Sequence, residues 1–173
     1  MPNKAAGAVC AAQRLTRWLH AKQGTVIMNV KRVEFAGLSL RLPEGWFDVT
    51  DDLEKGSPFT LGKDDNALGA LQFSVGLYIS GKLANIDMDG LSSLFHDFIA
   101  SQNLGTVKNV EQYHDGILSI SGEFVNPEEF IRLWFVTDKI NVAMITYVST
   151  LVNDPSLPNE VAEADQIVKS ISF

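Results

Sequence analysis

Four consecutive strand-forming stretches in the C-terminal half constrain the fold more than any other feature of this sequence. They cover residues 107–113, 117–124, 130–137 and 142–149, and they are rich in Val, Ile, Phe, Tyr and Trp. Turn-forming residues, such as Asp115-Gly116 and Asp138-Lys139, lie between them. Short connections join antiparallel neighbours, so the sequence predicts a meander of four antiparallel strands.

The N-terminal half contains further strand patterns. Residues 33–35 and 38–42 alternate apolar and polar side chains around Ala36-Gly37, which predicts a strand pair or a bent strand. Residues 47–50 and 59–61 are weaker strand candidates, and residues 70–80 form a strong one.

Two amphipathic helices complete the predicted fold. The clearest has Leu91, Leu94, Phe95, Phe98 and Ile99 on one face, with Asp87 or Asp89 as N-cap and Gly105 beyond its end. A second is predicted over about residues 159–170, with Val161, Ala164, Ile167 and Val168 inward. The expected class is α+β, an antiparallel β-sheet flanked by two long amphipathic helices. We expect Leu94, Phe95, Phe98, Val161, Ile167 and Val168 to be buried against the sheet.

Length and composition predict one folded domain behind a basic extension. A chain of 173 residues with 46% apolar residues can build one core, and its single cysteine, Cys10, excludes an internal disulfide. No apolar run approaches the roughly 20 residues of a membrane span. We therefore divide the chain into a basic N-terminal extension, residues 1–29, and a single acidic α+β domain, residues 30–173.

The extension has two interpretations. Its apolar residues from Ala8 to Leu19 have helical spacing with Arg14 and Arg17 off the stripe, which is typical of a helix that binds a membrane surface or a partner. It does not resemble a secretory signal, because the apolar stretch is short and runs into Arg14. Alternatively, translation begins at Met28, and the preceding residues are helical or disordered sequence outside the domain.

Charge is divided sharply along the chain. Residues 1–33 hold six Lys and Arg and no acid, whereas the remainder holds eight Lys and Arg against 21 Asp and Glu, a formal net charge of −13. A field of that sign repels nucleic acid and anionic lipid, and it accelerates encounter with a cationic protein. We therefore expect a cationic protein partner and no nucleic acid.

No pattern for catalysis or metal binding is complete. Asn85, Asp87, Asp89 and Gly90 match the start of an EF-hand loop, but His96 replaces the closing bidentate Glu, so helix capping explains these residues better than calcium does. His96 and Asp97 are adjacent on a helix and do not face each other. Nucleophile-elbow, dinucleotide and Walker motifs are absent. We predict no enzymatic activity, no cofactor and no metal, and we expect Trp46 and Trp134 to be core residues.

Two segments carry a resemblance to a known family. The sequence from Phe35 to Trp46, FAGLSLRLPEGW, and the closing segment from Ala164 to Phe173, ADQIVKSISF, with a central helix and a meander between them, resemble the PsbP-like superfamily. That superfamily includes photosystem extrinsic subunits, the Ran-release factor of nuclear import, the bacterial protein DcrB and the EagR chaperones of type VI secretion effectors. The resemblance spans about residues 30–173 and implies an α/β/α sandwich that binds proteins without chemistry. It carries over no catalytic residue.

The predicted function is therefore protein binding in the bacterial cytoplasm. The leading hypothesis is an immunity protein or chaperone that binds a cationic toxin or secreted effector. The alternative is a peripheral assembly or membrane-associated accessory subunit, anchored by the basic N-terminal helix. Loops on a rigid sheet are where recognition residues tend to lie. The predicted binding residues are accordingly the acids of two such loops: Asp51, Asp52, Glu54, Asp64 and Asp65.

Overall fold

The computed structural model describes residues 30–63, 67–81 and 85–173. Its strands are β1 (Lys31–Phe35), β2 (Leu38–Leu42), β3 (Phe47–Asp48), β4 (Phe59–Gly62), β5 (Gly69–Gly76), β6 (Lys108–Asp115), β7 (Ile117–Val125), β8 (Phe130–Thr137) and β9 (Val142–Ser149). Its helices are α1 (Met88–Gln102), α2 (Leu157–Lys169) and a short 3₁₀ turn, Thr50–Asp52. The predicted N-terminal extension, residues 1–29, lies outside the described residues.

The strands form one large antiparallel sheet and one separate hairpin. The large sheet has seven strands in the order β3-β4-β5-β9-β8-β7-β6, and every neighbouring pair is antiparallel. Strands β6 to β9 are the predicted meander, and β5 joins it through eight residue pairs with β9. The predicted strand at residues 70–80 ends earlier, at Gly76.

The β1–β2 hairpin is attached to the C-terminus of the chain. Ser39 and Ser172 exchange two backbone hydrogen bonds of 2.9 Å. Leu38 and Leu40 of the hairpin are fully buried in the same core cluster as Val161 and Ile167 of α2. The first and last segments of the domain therefore close one face of the sheet together.

The interior strand β8 separates two cores. Trp134 and Val136 lie in the core beneath the hairpin and α2, whereas Leu133 and Phe135 lie in the core beneath α1. Alternate residues of a strand point to opposite faces, so a strand buried on both faces is apolar at nearly every position. This explains the nearly continuous apolar sequence of β8.

The first helix begins and ends at identifiable caps. The Asp87 carboxylate accepts a hydrogen bond of 2.9 Å from the Gly90 backbone N–H, which confirms the predicted cap. The helix ends at Gln102, its C-cap Asn103 has a left-handed φ of 54°, and Gly105 lies beyond its end as predicted. The second helix begins at Leu157, with Pro158 in its first turn, two residues earlier than predicted.

Close approach of α1 to the sheet depends on Gly122 of β7. A Cβ at Gly122 would overlap the Val107 side chain and lie 3.0 Å from the Phe95 ring. A glycine is therefore needed where Phe95 reaches the strand.

The predicted buried helical residues are confirmed with two corrections. Phe95, Val161, Ile167 and Val168 are buried, but Leu94 is 40% exposed and Phe98 is only partly buried. Among the strands, α1 packs mainly on β7 and β8, so the flank that bears Leu94 extends past the strands that would cover it. The class is confirmed as mixed α+β with a large antiparallel sheet and two helices.

We expect Phe95→Ala to lower the free energy of unfolding by about 3–5 kcal/mol, because it empties a fully buried site that contacts Phe135 edge to face. Leu94→Ala on the same helix is the matched control and should cost less than about 1 kcal/mol. Urea unfolding of both variants measures the difference. Equal losses would show that Leu94 is also packed.

Candidate partner-binding site

Three of the predicted binding acids lie together in one connection. We call residues 49–58, between β3 and β4, the acidic loop. Asp51 and Asp52 form its 3₁₀ turn, Glu54 follows, and all three side chains are exposed. Asp64 and Asp65 lie outside the described residues, so their position relative to this loop stays a prediction.

Hydrogen bonds hold the beginning of the acidic loop on the sheet. The Val49 N–H donates to the Thr60 carbonyl at 3.0 Å, and the Thr60 N–H donates to the Thr50 hydroxyl at 2.9 Å. The Asp48 carboxylate accepts from the Thr50 N–H at 2.9 Å. These contacts anchor the turn that displays Asp51 and Asp52.

Exposed apolar side chains lie within the acidic loop and on the strands that it connects. Phe47 of β3 is 45% exposed, Leu53 of the loop 41%, and Phe59 of β4 51%. Large apolar side chains beside charged ones are typical of a protein-binding surface, in which apolar contact supplies affinity and charge supplies orientation. The sequence analysis missed this apolar component, although Leu53 between acidic residues was a readable signal.

A second acidic feature surrounds a buried arginine on the other side of the domain. Arg132 of β8 is 3% exposed. Its guanidinium donates to Glu123 at 2.8 Å, to Glu111 at 3.1 Å and to Asp165 at 3.2 Å. These carboxylates come from β7, β6 and α2, so the cluster connects the helix to the edge of the sheet. The sequence analysis missed it, because the partners are far apart in the chain.

Charge in this Arg132 cluster is not balanced. Three carboxylates face one guanidinium, which leaves a local formal charge of −2. Asp165 also accepts from the Trp134 indole N–H at 2.9 Å, which holds it in place, whereas the Glu111 side chain is 62% exposed. A buried arginine requires such partners. The surplus negative charge, however, extends to solvent along β6.

A third polar group, Glu160 of α2, is buried beneath the connection that leads into β5. It accepts hydrogen bonds from the Tyr147 hydroxyl at 2.8 Å and from the Leu68 and Gly69 backbone N–H groups, each at 3.1 Å. A Cβ at Gly69 would overlap the Tyr147 ring, so glycine permits this packing. The pKa of Tyr147 is raised above its ordinary value. Burial is the larger cause, and the nearby Glu160 carboxylate is the second.

The turn between β8 and β9 contains a second group whose pKa is shifted, Asp138. Burial disfavours the ionised form of Asp138, but hydrogen bonds from the Asn141 and Ile140 backbone and from the Asn141 side chain outweigh it. They hold the pKa of Asp138 below its ordinary value. This carboxylate therefore stabilises the turn that the sequence predicted.

The other residues that the sequence singled out are a helix cap, exposed helix residues or core residues. Asp87 caps α1, and His96 and Asp97 are exposed on that helix. Trp46 and Trp134 are 5% and 3% exposed, which confirms them as core residues. Within residues 30–63, 67–81 and 85–173, no group of three or more His, Cys, Asp or Glu is placed to hold a metal ion. No helix of that same part is long and apolar enough to cross a membrane.

A large antiparallel sheet with two helices fits a PsbP-like fold. The chain is similar to the solution structure of cyanobacterial PsbP (CyanoP) from Synechocystis sp. PCC 6803, with a TM-score of 0.56 and 18% identity over 87% of this chain and 95% of that one. It is also similar to a crystal structure from Bacteroides thetaiotaomicron VPI-5482, with a TM-score of 0.55 and 12% identity. That match covers 84% of this chain and 48% of the other. No family model and no curated protein matches.

Identities this low show the fold alone. The PsbP-like resemblance read from the two short segments is confirmed at that level. Recognition of a partner depends on the exposed residues and not on the fold.

Tyr147→Phe should lower the free energy of unfolding by about 1–3 kcal/mol near pH 7, because Glu160 loses one of its hydrogen-bond donors while remaining buried. The pKa of Tyr147 is raised in the folded state, so its contribution is complete below about pH 10 and decreases as the pH rises above it. Chemical unfolding measured from pH 7 to 11 should therefore show an alkaline loss in the parent that is smaller in Tyr147→Phe. Parallel curves would contradict this role of the tyrosine.

Proposed function

We propose that this protein is a non-enzymatic bacterial protein-binding domain, an immunity protein or chaperone that binds a cationic toxin or secreted effector in the cytoplasm. The proposed contact residues are Asp51, Asp52 and Glu54 of the acidic loop, together with Asp64 and Asp65. The α/β/α sandwich of PsbP-like proteins, with one helix on each face of the sheet, is the scaffold on which the proposal rests.

One observation carries this proposal. The acidic loop presents three exposed carboxylates together with exposed Leu53, and Phe47 and Phe59 are exposed on the strands that it connects. Carboxylates attract a basic partner over about 8 Å at physiological ionic strength, and the apolar side chains provide area to bury on contact. A nucleic acid or an anionic lipid would be repelled by the same carboxylates.

The balance of charge over the domain supports the same partner. From Glu34 onward the chain carries a formal −13. A domain with such a field associates faster with a cationic protein than a neutral domain does, and this advantage decreases with salt. The lack of an enzymatic role is part of the proposal and rests on the PsbP-like fold and on the incomplete motifs of the sequence.

A second candidate function rests on the extension. Residues 1–33 contain six basic and no acidic residues, and their apolar residues have helical spacing. This favours an accessory subunit that the extension anchors to a membrane or a larger assembly. Deletion of residues 1–27 separates the two candidates, because it would abolish anchoring while leaving the acidic loop intact.

We predict that a variant carrying Asp51→Asn, Asp52→Asn and Glu54→Gln associates more slowly with the partner, because it loses three attractive charges. The partner to use is a basic protein recovered with this chain by affinity pull-down from its native host, and stopped-flow fluorescence measures the association rate. We expect a reduction of about tenfold at low salt that shrinks as salt is raised.

The control removes the same charge elsewhere. Asp97 is exposed on α1, and in the turn before β8 Glu128 is exposed and Glu129 half-buried, so amides at those positions should change the rate much less. Protection of a host from the toxin would identify immunity, whereas increased solubility of the effector would identify a chaperone. An association rate that ignores both salt and the three loop acids would overturn the proposal.

A further inference from the structure

The strand β6 is a long sheet edge with an unpaired side. It lies at the end of the strand order, beyond β7, and all but one of its eight residues are exposed. Within residues 30–63, 67–81 and 85–173, the ladder with β7 is the only backbone pairing that β6 makes. The opposite edge, β3, has only two residues. An unpaired edge of this length is a template for another strand.

The usable part of this edge is regular. Residues 111–115 pair in unbroken register with β7, whereas the register shifts between Lys108 and Glu111. Glu111 and Tyr113 lie opposite Ser121 and Ser119 and thus face the α2 side of the sheet, and Asp115 shares that side. Gln112 and His114 face the α1 side. A strand added beside this segment would meet both rows of side chains at every second residue.

The α2-facing row carries a pattern of charge. Glu111 and Asp115 are exposed carboxylates, and the Tyr113 hydroxyl between them donates to Asp115 at 3.0 Å. The Lys169 ammonium lies 5.9 Å from the centre of the Tyr113 ring. The row is therefore negative at both ends, and a positive charge already lies over its middle.

The α1-facing row borders a cleft of mixed polarity. Gln112 and His114 line it together with Met88 and Leu118. Uncharged, β-branched side chains fit such a surface better than basic ones, because they can pack on Met88 and Leu118.

We propose that β6 binds an extended segment of the cationic partner by strand addition. The segment carries basic residues at two positions four residues apart, which lie beside Glu111 and Asp115, and an uncharged residue midway, which avoids Lys169. Its alternate residues are apolar and face the α1 side. This inference rests on the proposed function, since it specifies which part of a cationic partner is bound and how.

A second copy of the chain fits this edge less well. Antiparallel self-pairing centred on Tyr113 would place Glu111 opposite Asp115 twice, and like charges directly opposite each other are destabilising. A basic strand instead gains an attractive pair at each of these positions. Charge therefore selects a heterologous basic segment.

The test uses the full chain and a synthetic peptide, acetyl-Ser-Thr-Lys-Val-Thr-Val-Lys-Thr-Ser-amide. We expect saturable binding by NMR titration, with new hydrogen-exchange protection of amides within residues 111–115. Asp115→Asn and Glu111→Gln should each weaken binding about two- to fivefold. Glu128→Gln, which removes the same charge from a distant turn, should leave it unchanged.

Two control peptides isolate the strand geometry. One control peptide is N-methylated at a Val amide and the other at the central Thr amide, because these two amides point to opposite edges of the peptide strand. Whichever modification removes a hydrogen bond to β6 should weaken binding about tenfold. A peptide with the two lysines adjacent puts them on opposite faces and should also bind more weakly. These peptide controls keep the test valid even if Glu111→Gln disturbs the buried Arg132.

The outcomes separate this inference from the proposed function. Binding that protects the acidic loop but not residues 111–115, or that ignores both N-methyl groups, would overturn strand addition and leave a cationic partner in place. A concentration-dependent dimer protected at residues 111–115 would assign the edge to a second copy and also overturn it. If no lysine peptide binds and no basic protein from the native host associates either, both proposals fail.

Discussion

Burial of β8 on both faces is the constraint on which the rest of the structure depends. Leu133 and Val136 are fully buried on opposite faces, so neither face of the sheet can be left to water at this strand. Leaving both faces uncovered would expose side chains that each contribute about 1.5–3 kcal/mol when buried. The hairpin and α2 cover one face and α1 covers the other, each held by apolar contacts. Because β8 is an interior strand, the remaining strands extend from it to two edges.

The polar groups follow from this arrangement. Arg132 is the one charged residue of β8, and its burial among Glu111, Glu123 and Asp165 connects the edge strand, the neighbouring strand and α2. Removal of one partner of a buried ion pair is costly, so this cluster favours one position of α2 over the sheet. Asp51, Asp52 and Glu54 of the acidic loop, and Asp115 of β6, are exposed and take no part in this cluster. Their negative charge is therefore available to attract a partner.

Much of the fold could be predicted because its signals are local. Alternation and turn residues located β6 to β9, and the spacing of apolar residues with the Asp87 cap located α1. The exposure of Leu94 could not be read in this way, because it depends on which strands α1 covers. The end of β5 at Gly76 is likewise set by its pairing with Val142 of β9, a distant residue.

The candidate site was predicted only in part for the same reason. The acids Asp51, Asp52 and Glu54 are adjacent in the chain, so their grouping was visible in the sequence. Their apolar neighbours Phe47 and Phe59 read as strand residues, and exposure at the short edge strand β3 is a tertiary property. The Arg132 cluster joins three separate elements, and the open edge of β6 depends on strand order. Neither can be read from a single segment.

The central claim is that exposed carboxylates, and not the buried ones, select a basic partner. Its most direct test is the dissociation constant for a basic protein recovered with this chain by affinity pull-down from its native host, measured by calorimetry with a variant in which Asp51, Asp52, Glu54 and Asp115 are amides. The account predicts a cooperatively folded variant that binds more than about tenfold more weakly, since each exposed pair contributes about 0.2–1 kcal/mol. A folded variant with unchanged affinity would contradict it and place recognition on an uncharged surface.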